Sequence, residues 1–151
     1  MHILFICTGN ACRSAAAESV LRQQLSAAGV EDVTVASAGT LEWGSNPRDA
    51  VMTRIAAEHG YTMEGTTQYM TREMLNAADL ILVMTRGHHS EVTRLLDYNR
   101  WSHVRLFMDY CFGKNGSLID PTYCSEVIYR EVFSAIEKGC RVIVEKIIEQ
   151  G

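Results

Sequence analysis

The chain has 151 residues, a length typical of one domain built around one core. Hydrophobic residues make up 47% of the sequence and charged residues 21%, as in ordinary globular proteins. The formal net charge of -4 argues against a nucleic acid as the main partner, and no apolar run is long enough for membrane insertion. We therefore expect a single domain over residues 1–151.

The cysteine content indicates a reducing compartment. An odd number of cysteines, five, occurs in a sequence without a recognisable secretory signal, which favours free thiols and a cytoplasmic location. No cysteine and histidine set has the spacing of zinc ligands. The adjacent His88 and His89 would point in different directions on a helix. We expect no bound metal.

Strands and helices are predicted to alternate along the first half of the chain. Ser14 suits the N-cap of the first helix and Gly29 its end, while Pro47 suits the first turn of the second helix and Gly60 its end. Apolar runs mark the strands. In chain order the predicted elements are a strand over 2–6, a helix over 14–28, a strand over 32–36 and a helix over 47–59.

The second half continues this alternation, which favours a parallel sheet with helices on both faces. Thr71 suits the cap of a short helix. Ligands bind at the carboxyl ends of strands in such folds, and the first strand ends at Cys7. The predicted elements are a short helix over 71–76, a strand over 79–84, a helix over 87–96, a strand over 104–108, a loop over 109–123 and a helix over 125–149.

The segment Cys7-Thr-Gly-Asn-Ala-Cys-Arg13-Ser14 has the composition of an anion-binding loop. Gly9 and Asn10 tolerate positive φ, so the loop can curl until its backbone N–H groups point inward. The N-terminus of the following helix adds positive potential. Arg13 would close the ring with a planar fork that matches two phosphate oxygens.

Cys7 lies at the base of this predicted loop. Helix N-termini and cations favour the thiolate form of cysteine, so we expect Cys7 to act as a thiolate nucleophile, with a hydrogen bond from Ser14. The alternative for a lone cysteine is a buried thiol that merely ends a strand. The five residues between Cys7 and Arg13, set between a strand and a helix, favour the nucleophile. The loop lacks the Gly-Lys-Ser/Thr of a nucleotide-binding P-loop.

Transfer of a phosphoryl group to a thiolate also needs an acid for the leaving group. Asp120, followed by Pro121 in the long glycine-containing loop, is the best candidate in the sequence. The alternative is an ordinary Asp-Pro turn, and the residues themselves leave both open.

Several motifs together resemble those of one family. They are Cys7-Thr-Gly-Asn-x-Cys-Arg-Ser14, Ala17-Glu18, Ser37-Ala-Gly-Thr40, Ala78-Asp79-Leu with Met84, and Asp120-Pro121. In this order, over essentially the whole chain, they resemble the low-molecular-weight protein tyrosine phosphatases. The resemblance implies a three-layer α/β/α fold with a four-stranded parallel sheet in the order 2-1-3-4 and a phosphate-binding loop after strand 1.

The resemblance also implies a reaction, the hydrolysis of protein phosphotyrosine through a phosphocysteine intermediate and without a cofactor. Cys7 would attack phosphorus, Arg13 would clamp the phosphoryl group, and Asp120 would protonate the leaving phenol and then activate water. The partners implied are a phosphotyrosine-containing protein or peptide, and inorganic phosphate or other oxyanions in the active site. The phosphate-binding residues would be Thr8, Gly9, Asn10, Ala11, Cys12 and Arg13.

Supporting residues follow from the same resemblance. Asn10, Ser14 and Ser37 match polar residues that hold the shape of the loop. Cys12 matches a cysteine that forms a reversible disulfide with the nucleophile, Cys7, and so protects it from further oxidation.

Two aromatic residues are candidate walls for a substrate ring. Trp43 and Tyr123 fall where members of the family carry aromatics, and two aromatic faces suit a phosphotyrosine ring. The alternative for Trp43 is an exposed loop aromatic that packs on its neighbours.

Ala11 leaves the substrate class open. Tyrosine-specific members usually carry a larger aliphatic residue at this position and the related arginine phosphatases carry threonine, so a protein arginine phosphatase is the first alternative. Arsenate reductases share the loop but need redox cysteines after the third strand, where Met84-Thr-Arg-Gly-His-His has none. A non-catalytic phosphopeptide-binding module would lack a working nucleophile or acid, and Cys7, Arg13 and Asp120 together argue against it.

Overall fold

The computed structural model describes residues 1–151 as four strands, six α-helices and one 3-10 helix. The elements are β1 (His2–Cys7), α1 (Arg13–Ala27), β2 (Thr34–Gly39), α2 (Ala50–Glu58), α3 (Arg72–Ala77), β3 (Leu80–Val83), α4 (Arg86–Arg94), the 3-10 helix (Tyr98–His103), β4 (Val104–Leu106), α5 (Phe107–Phe112) and α6 (Glu126–Gln150).

The four strands form one parallel sheet in the order β2-β1-β3-β4, which confirms the predicted topology. The central strands β1 and β3 are apolar and buried because helices cover both faces of a parallel sheet. Ile3 lies opposite Val35 on one side and Leu80 on the other, and this register brings Cys7 opposite Gly39. The carboxyl ends of the strands therefore meet at one edge.

Two cores lie on opposite faces of the sheet, because successive side chains of a strand point to opposite faces. Ile3 and Phe5 join a core of 28 buried residues that also includes side chains of α1, α2, α5 and α6. Leu4 and Ile6 join a smaller core of 11 residues with α3 and α4. The result is the three-layer arrangement expected from the sequence. None of the helices combines the length and apolar character needed to cross a membrane.

Two predicted helix starts are wrong. Helix α1 begins at Arg13, and Ser14 is not its N-cap because the Ser14 side chain is fully buried and turned toward Cys7. Helix α2 begins at Ala50, with Asp49 as the cap. Pro47 instead pairs with Thr66 in an isolated bridge before that helix.

The caps of α2 and α3 have a common physical cause. The Asp49 carboxylate accepts a hydrogen bond from the Met52 N–H, and the Thr71 hydroxyl accepts one from the Met74 N–H, as predicted for Thr71. Each side chain pairs a backbone N–H that the first turn of a helix leaves free.

The prediction was also wrong in three further regions. Strand β2 spans Thr34–Gly39 instead of 32–36, and the 3-10 helix was not predicted. Helix α5 replaces the end of the fourth predicted strand and the start of the predicted loop. Phe107 and Cys111, four residues apart, both face the core on one side of this short helix, which Gly113 ends with φ of 65°.

We predict that Gly139→Ala destabilises the protein, although alanine is the better helix former. A Cβ at Gly139 in α6 would lie 2.8 Å from Phe107 Cε2 and 3.2 Å from Cys111 Sγ, closer than van der Waals contact allows. Overpacking of this kind costs about 1–3 kcal/mol, more than the gain in helix propensity of about 1 kcal/mol. Urea denaturation measures the free energy of unfolding.

Gly87→Ala is the matched control for Gly139→Ala. A Cβ at Gly87 in α4 has its nearest neighbour, Thr85 Oγ1, at 3.5 Å, which is ordinary contact. This substitution should leave the free energy of unfolding unchanged or raise it. Equal or greater stability of the Gly139→Ala variant would contradict the proposed packing of α5 on α6.

Candidate active site

The segment between β1 and α1, the phosphate-binding loop of residues 7–13, is held in place by the end of β2. The Thr40 N–H donates to the Cys7 carbonyl and the Leu41 N–H to the Thr8 carbonyl, each at 3.0 Å. A Cβ on Gly39 would lie 2.5 Å from the Thr8 carbonyl oxygen. Only glycine therefore allows this close approach of β2 to the loop.

Cys7 lies at the base of this loop and is 2% exposed. Its Sγ lies 2.9 Å from Ser14 Oγ in the first turn of α1. The sulfur is thus close to the N-terminus of a 15-residue helix, where free N–H groups favour negative charge.

Asn10 organises the interior of the loop. It is completely buried and adopts φ of 58°, a left-handed conformation that asparagine tolerates better than most residues. Its Nδ2 donates to Ser14 Oγ at 2.9 Å and to Ser37 Oγ at 2.8 Å. Its Oδ1 accepts from the Gln68 N–H at 3.0 Å and from Arg48 at 3.1 Å. All hydrogen-bonding positions of the amide nitrogen are therefore used.

The Glu18 carboxylate, which can only accept, sets the direction of each hydrogen bond in this network. The Ser37 hydroxyl donates to Glu18 Oε1 at 2.5 Å, so its oxygen is free to accept from Asn10. An amide nitrogen can only donate, so Ser14 Oγ also accepts from Asn10. The hydroxyl proton of Ser14 is then available to Cys7 Sγ, and the network presents a donor to the sulfur.

Two further residues of the network, Arg48 and Gln68, were not predicted as site residues. Arg48 binds the Asn10 carbonyl and lies 3.8 Å from Glu18, and burial lowers the pKa of its guanidinium. The Gln68 side chain donates to the Ser37 carbonyl at 2.8 Å. Both come from connections outside any short motif, so only their place in the fold reveals them.

Arg13 joins the loop to the segment that carries the candidate acid. Its guanidinium is buried, with one amino group donating to the Leu118 carbonyl at 2.9 Å and the other 3.7 Å from Asp120 Oδ2. Leu118 is also tied to the sheet, because its N–H donates to the Met84 carbonyl at 2.9 Å. The orientation of Arg13 and the position of Asp120 are therefore coupled.

Thr122 and Arg13 stabilise the Asp120 carboxylate. Burial acts to raise its pKa, but hydrogen bonds from the hydroxyl and N–H of Thr122, with the charge of Arg13, outweigh burial and lower the pKa below its ordinary value. A bound anion would act in the opposite direction, since a neighbouring negative charge favours the protonated acid.

A cavity of about 340 Å³ opens above the loop and is lined by most of the predicted site residues. Trp43 forms one wall, with its indole N–H donating to the Gly9 carbonyl at 3.0 Å and its ring across Gly9. Thr122 belongs to the lining, whereas Tyr123 does not. The lining residues are Cys7, Thr8, Gly9, Ala11, Cys12, Arg13, Leu41, Trp43, Pro47, Asp49, Asp120 and Thr122.

Tyr123 lies outside this arrangement. Its side chain is fully exposed, on a residue with φ of 66°. In this conformation it contributes no wall, so its role beside a substrate ring remains a prediction. Tyr129, in α6, instead supports the cavity from behind by donating to the Asp49 carboxylate at 2.9 Å.

Cys12 lines the same cavity and is a free thiol, as is Cys7. Burial, followed by the charge of Asp49, raises the pKa of Cys12 well above its ordinary value. Cys12 is therefore a neutral thiol in the reduced protein, and its pairing with Cys7 on oxidation remains a prediction.

Comparison with known proteins gives a consistent family. The family described as low molecular weight phosphotyrosine protein phosphatase matches residues 2–151. The low molecular weight protein-tyrosine-phosphatase Etp of Escherichia coli K12 is 34% identical over 138 residues, covering 91% of this chain and 88% of Etp. A protein-arginine-phosphatase of Bacillus subtilis is 27% identical over 147 residues, covering 97% of each chain.

A solved structure agrees with these sequence matches. The low molecular weight phosphotyrosine phosphatase of Vibrio cholerae O395 superposes with a TM-score of 0.93 at 27% identity, over 100% of this chain and 99% of that one. The fold and site thus define a phosphatase of the hydrolase class. The chain belongs to the low molecular weight phosphotyrosine protein phosphatase family, which includes relatives named for tyrosine and for arginine.

We predict that Asn10→Ala lowers both stability and turnover. The substitution removes four side-chain hydrogen bonds and leaves buried partners unpaired, which should cost about 2–4 kcal/mol in the free energy of unfolding. We expect kcat/KM for an aryl phosphate to fall by roughly 100-fold as the loop loses its shape. Denaturant titration and steady-state kinetics measure the two effects.

Asn10→Gly separates backbone strain from the lost bonds. Glycine accepts φ of 58° without the cost of a Cβ, so this variant should be about 1 kcal/mol more stable than Asn10→Ala and equally slow. Asn99→Ala, at an exposed position, is the control. Wild-type turnover by either Asn10 variant would disprove the organising role of this side chain.

Proposed function

We propose that this protein hydrolyses phosphotyrosine in proteins or peptides through a phosphocysteine intermediate. The observation that carries the proposal is the meeting of Cys7, Arg13 and Asp120 in one cavity, with Cys7 at its base and Asp120 Oδ2 3.7 Å from the Arg13 guanidinium. A nucleophile, a phosphate clamp and a proton donor are the three groups that transfer of a phosphoryl group to sulfur needs.

In the first step the Cys7 thiolate attacks phosphorus. The S–P bond forms as the bond from phosphorus to the tyrosyl oxygen breaks, and protonated Asp120 gives its proton to that oxygen. In the second step the Asp120 carboxylate takes a proton from water, whose oxygen attacks phosphorus while the S–P bond breaks. The products are tyrosine and inorganic phosphate, and the thiolate is restored.

The loop would stabilise charge throughout both steps. Backbone N–H groups of residues 8–13 and the Arg13 fork would surround the equatorial oxygens of a phosphoryl group bound above Cys7. Because Arg13 is already held by the Leu118 carbonyl, little reorganisation is needed when the phosphoryl group binds.

The substrate ring would lie along Trp43, whose indole is fixed against the loop. One domain over residues 1–151 would carry the whole activity. A cytoplasmic location is proposed with it, supported by five unpaired cysteines.

The alternative within the family is a protein arginine phosphatase. It is supported by the likeness to the Bacillus subtilis protein of that name. Ala11 favours neither substrate, because it has neither the larger aliphatic group of the tyrosine-specific members nor the threonine hydroxyl of the arginine phosphatases. Trp43 on the cavity wall favours an aromatic leaving group, and for this reason we place phosphotyrosine first.

The proposal is tested by comparing kcat/KM for matched peptides that carry phosphotyrosine or phosphoarginine. We expect phosphotyrosine to be preferred by at least about tenfold, because the Trp43 ring offers an apolar face on which an aromatic leaving group can stack. Cys7→Ser should abolish turnover and still bind inorganic phosphate. A preference for phosphoarginine would show that the protein is an arginine phosphatase. Turnover by Cys7→Ser would show that Cys7 is not the nucleophile.

A second prediction concerns Asp120. Asp120→Asn should slow hydrolysis of aryl phosphates with poor leaving groups by about 10²–10⁴-fold, and of those with good leaving groups much less, because only the former need a proton in the transition state. Asp109→Asn, on the surface beside Arg105, is the control. Equal effects on both classes of substrate would show that Asp120 is not the acid.

The pH dependence of kcat/KM should change when Thr122 is replaced. The Thr122 hydroxyl stabilises the Asp120 carboxylate, so Thr122→Val should raise the pKa of Asp120. Asp120 then stays protonated to higher pH, so the alkaline limb of the pH profile of kcat/KM for substrates with poor leaving groups should shift to higher pH. A shift of this limb to lower pH would contradict the assignment.

A further inference from the structure

His88 is a buried polar residue that the proposed reaction does not use. It lies in the first turn of α4, where its N–H donates to the Thr85 hydroxyl, and its side chain is turned away from solvent, with 5% exposed. The carboxyl end of β3 precedes this helix, so His88 lies beside the phosphate-binding loop that follows the neighbouring strand β1.

One hydrogen bond joins His88 to the loop. Its Nε2 lies 2.8 Å from Oγ1 of Thr8, a residue 80 positions away that lines the cavity with Cys7 and Arg13. The other ring nitrogen, Nδ1, is buried and has no partner. This pair is therefore the only polar contact that the imidazole makes.

The unpartnered nitrogen determines which way the hydrogen bond runs. Buried N–H groups without an acceptor are rarer in proteins than unpaired acceptors, so Nδ1 is the nitrogen without a proton. Burial, followed by the positive charge of Arg13, lowers the pKa of His88 to about 4, so the imidazole is neutral near pH 7. Nε2 then carries the only ring proton and donates it to Thr8 Oγ1.

The state of Thr8 follows from this direction. Its oxygen accepts from His88, and its own hydroxyl proton is free to be donated elsewhere. Thr8 is exposed in the cavity immediately after the nucleophile, where a phosphoryl group would lie. With the opposite tautomer of His88, the Thr8 hydroxyl would donate its proton to the imidazole, and Thr8 would offer the cavity no hydrogen-bond donor.

We propose that His88 is a positioning residue that aligns the Thr8 hydroxyl as a hydrogen-bond donor to an oxygen of the bound phosphoryl group. The inference rests on the proposed function, since the phosphoryl group is the ligand that the function supplies. It adds one side-chain donor to the backbone N–H groups of the loop and to Arg13. A neutral His88 does this without adding a second cation to the site.

The test measures the Kd of inorganic phosphate by calorimetry in the full chain, so it does not depend on turnover. Thr8→Val keeps the shape of the side chain and removes the hydroxyl, and the Kd should rise by roughly tenfold or more. Thr8→Ser should restore most of the affinity. His88→Leu should raise the Kd by a smaller factor, roughly threefold, because the hydroxyl remains but is no longer aligned.

The double variant distinguishes positioning from a general structural effect. In the Thr8→Val background, His88→Leu should raise the Kd no further, since there is no hydroxyl left to align. His88→Gln, whose amide can donate from nearly the same place as Nε2, should recover affinity. His89→Leu on the same helix is the matched control and should leave Kd and kcat unchanged.

Two results would overturn the inference. One is an unchanged Kd in Thr8→Val, and the other is a His88→Leu effect that persists in full without the Thr8 hydroxyl. If His88→Leu does not fold, ¹⁵N spectra of the wild-type imidazole decide the matter, because a proton on Nδ1 contradicts the proposed direction. A protein that shows the expected Kd pattern but hydrolyses no phosphate ester would support this pair and refute the proposed function.

Discussion

The site depends on one buried side chain, the amide of Asn10. Its hydrogen bonds hold the backbone of this residue in a left-handed conformation. A strained residue persists only where its surroundings determine it, and four hydrogen bonds to Asn10 do so here. Loss of any one would leave buried polar groups unpaired, so the loop has one stable shape. That shape places the Cys7 sulfur at the base of the cavity and turns a hydroxyl proton toward it.

Two separate supports reach the reacting groups from this base. On one side, the network that starts at Glu18 ends in a donor to the sulfur. On the other, Arg13 binds the Leu118 carbonyl and so fixes both its own fork and the segment that carries Asp120. Both supports attach to the sheet: Ser37 of the first lies in β2, and Leu118 of the second binds the Met84 carbonyl just after β3. The parallel topology thus brings the groups of the proposed reaction together at one edge of the sheet.

The sequence predicted the parts of this arrangement that are local in the chain. Cys7, Arg13 and Ser14 occur in one short segment, and apolar runs indicated both central strands of a parallel sheet. The strand order, which the structure confirms, was predicted from the resemblance to the family. The N-cap at Ser14 was wrong because a tertiary contact, the hydrogen bond to Cys7, outweighs the local preference of serine for caps. Helix α5 was missed because its apolar residues resemble a strand until Gly139 of α6 gives them a place to pack.

The residues around the site that were not predicted have no local signal in the sequence. Arg48 and Gln68 reach the loop from connections between elements, and His88 reaches it from helix α4. Their roles appear only when the fold brings them within hydrogen-bond distance. Tyr123 is a different case: the resemblance predicted an aromatic wall at this position, whereas the side chain is fully exposed and does not line the cavity in this conformation.

The central claim is that the loop, as folded, holds an oxyanion directly above the Cys7 sulfur. A crystal structure of the wild-type protein with tungstate tests it most directly. We expect the metal atom of the anion in line with Cys7 Sγ, with its oxygens on the N–H groups of residues 8–13 and on the Arg13 fork. Tungstate bound elsewhere, or above a loop that had rearranged around Asn10, would contradict the account.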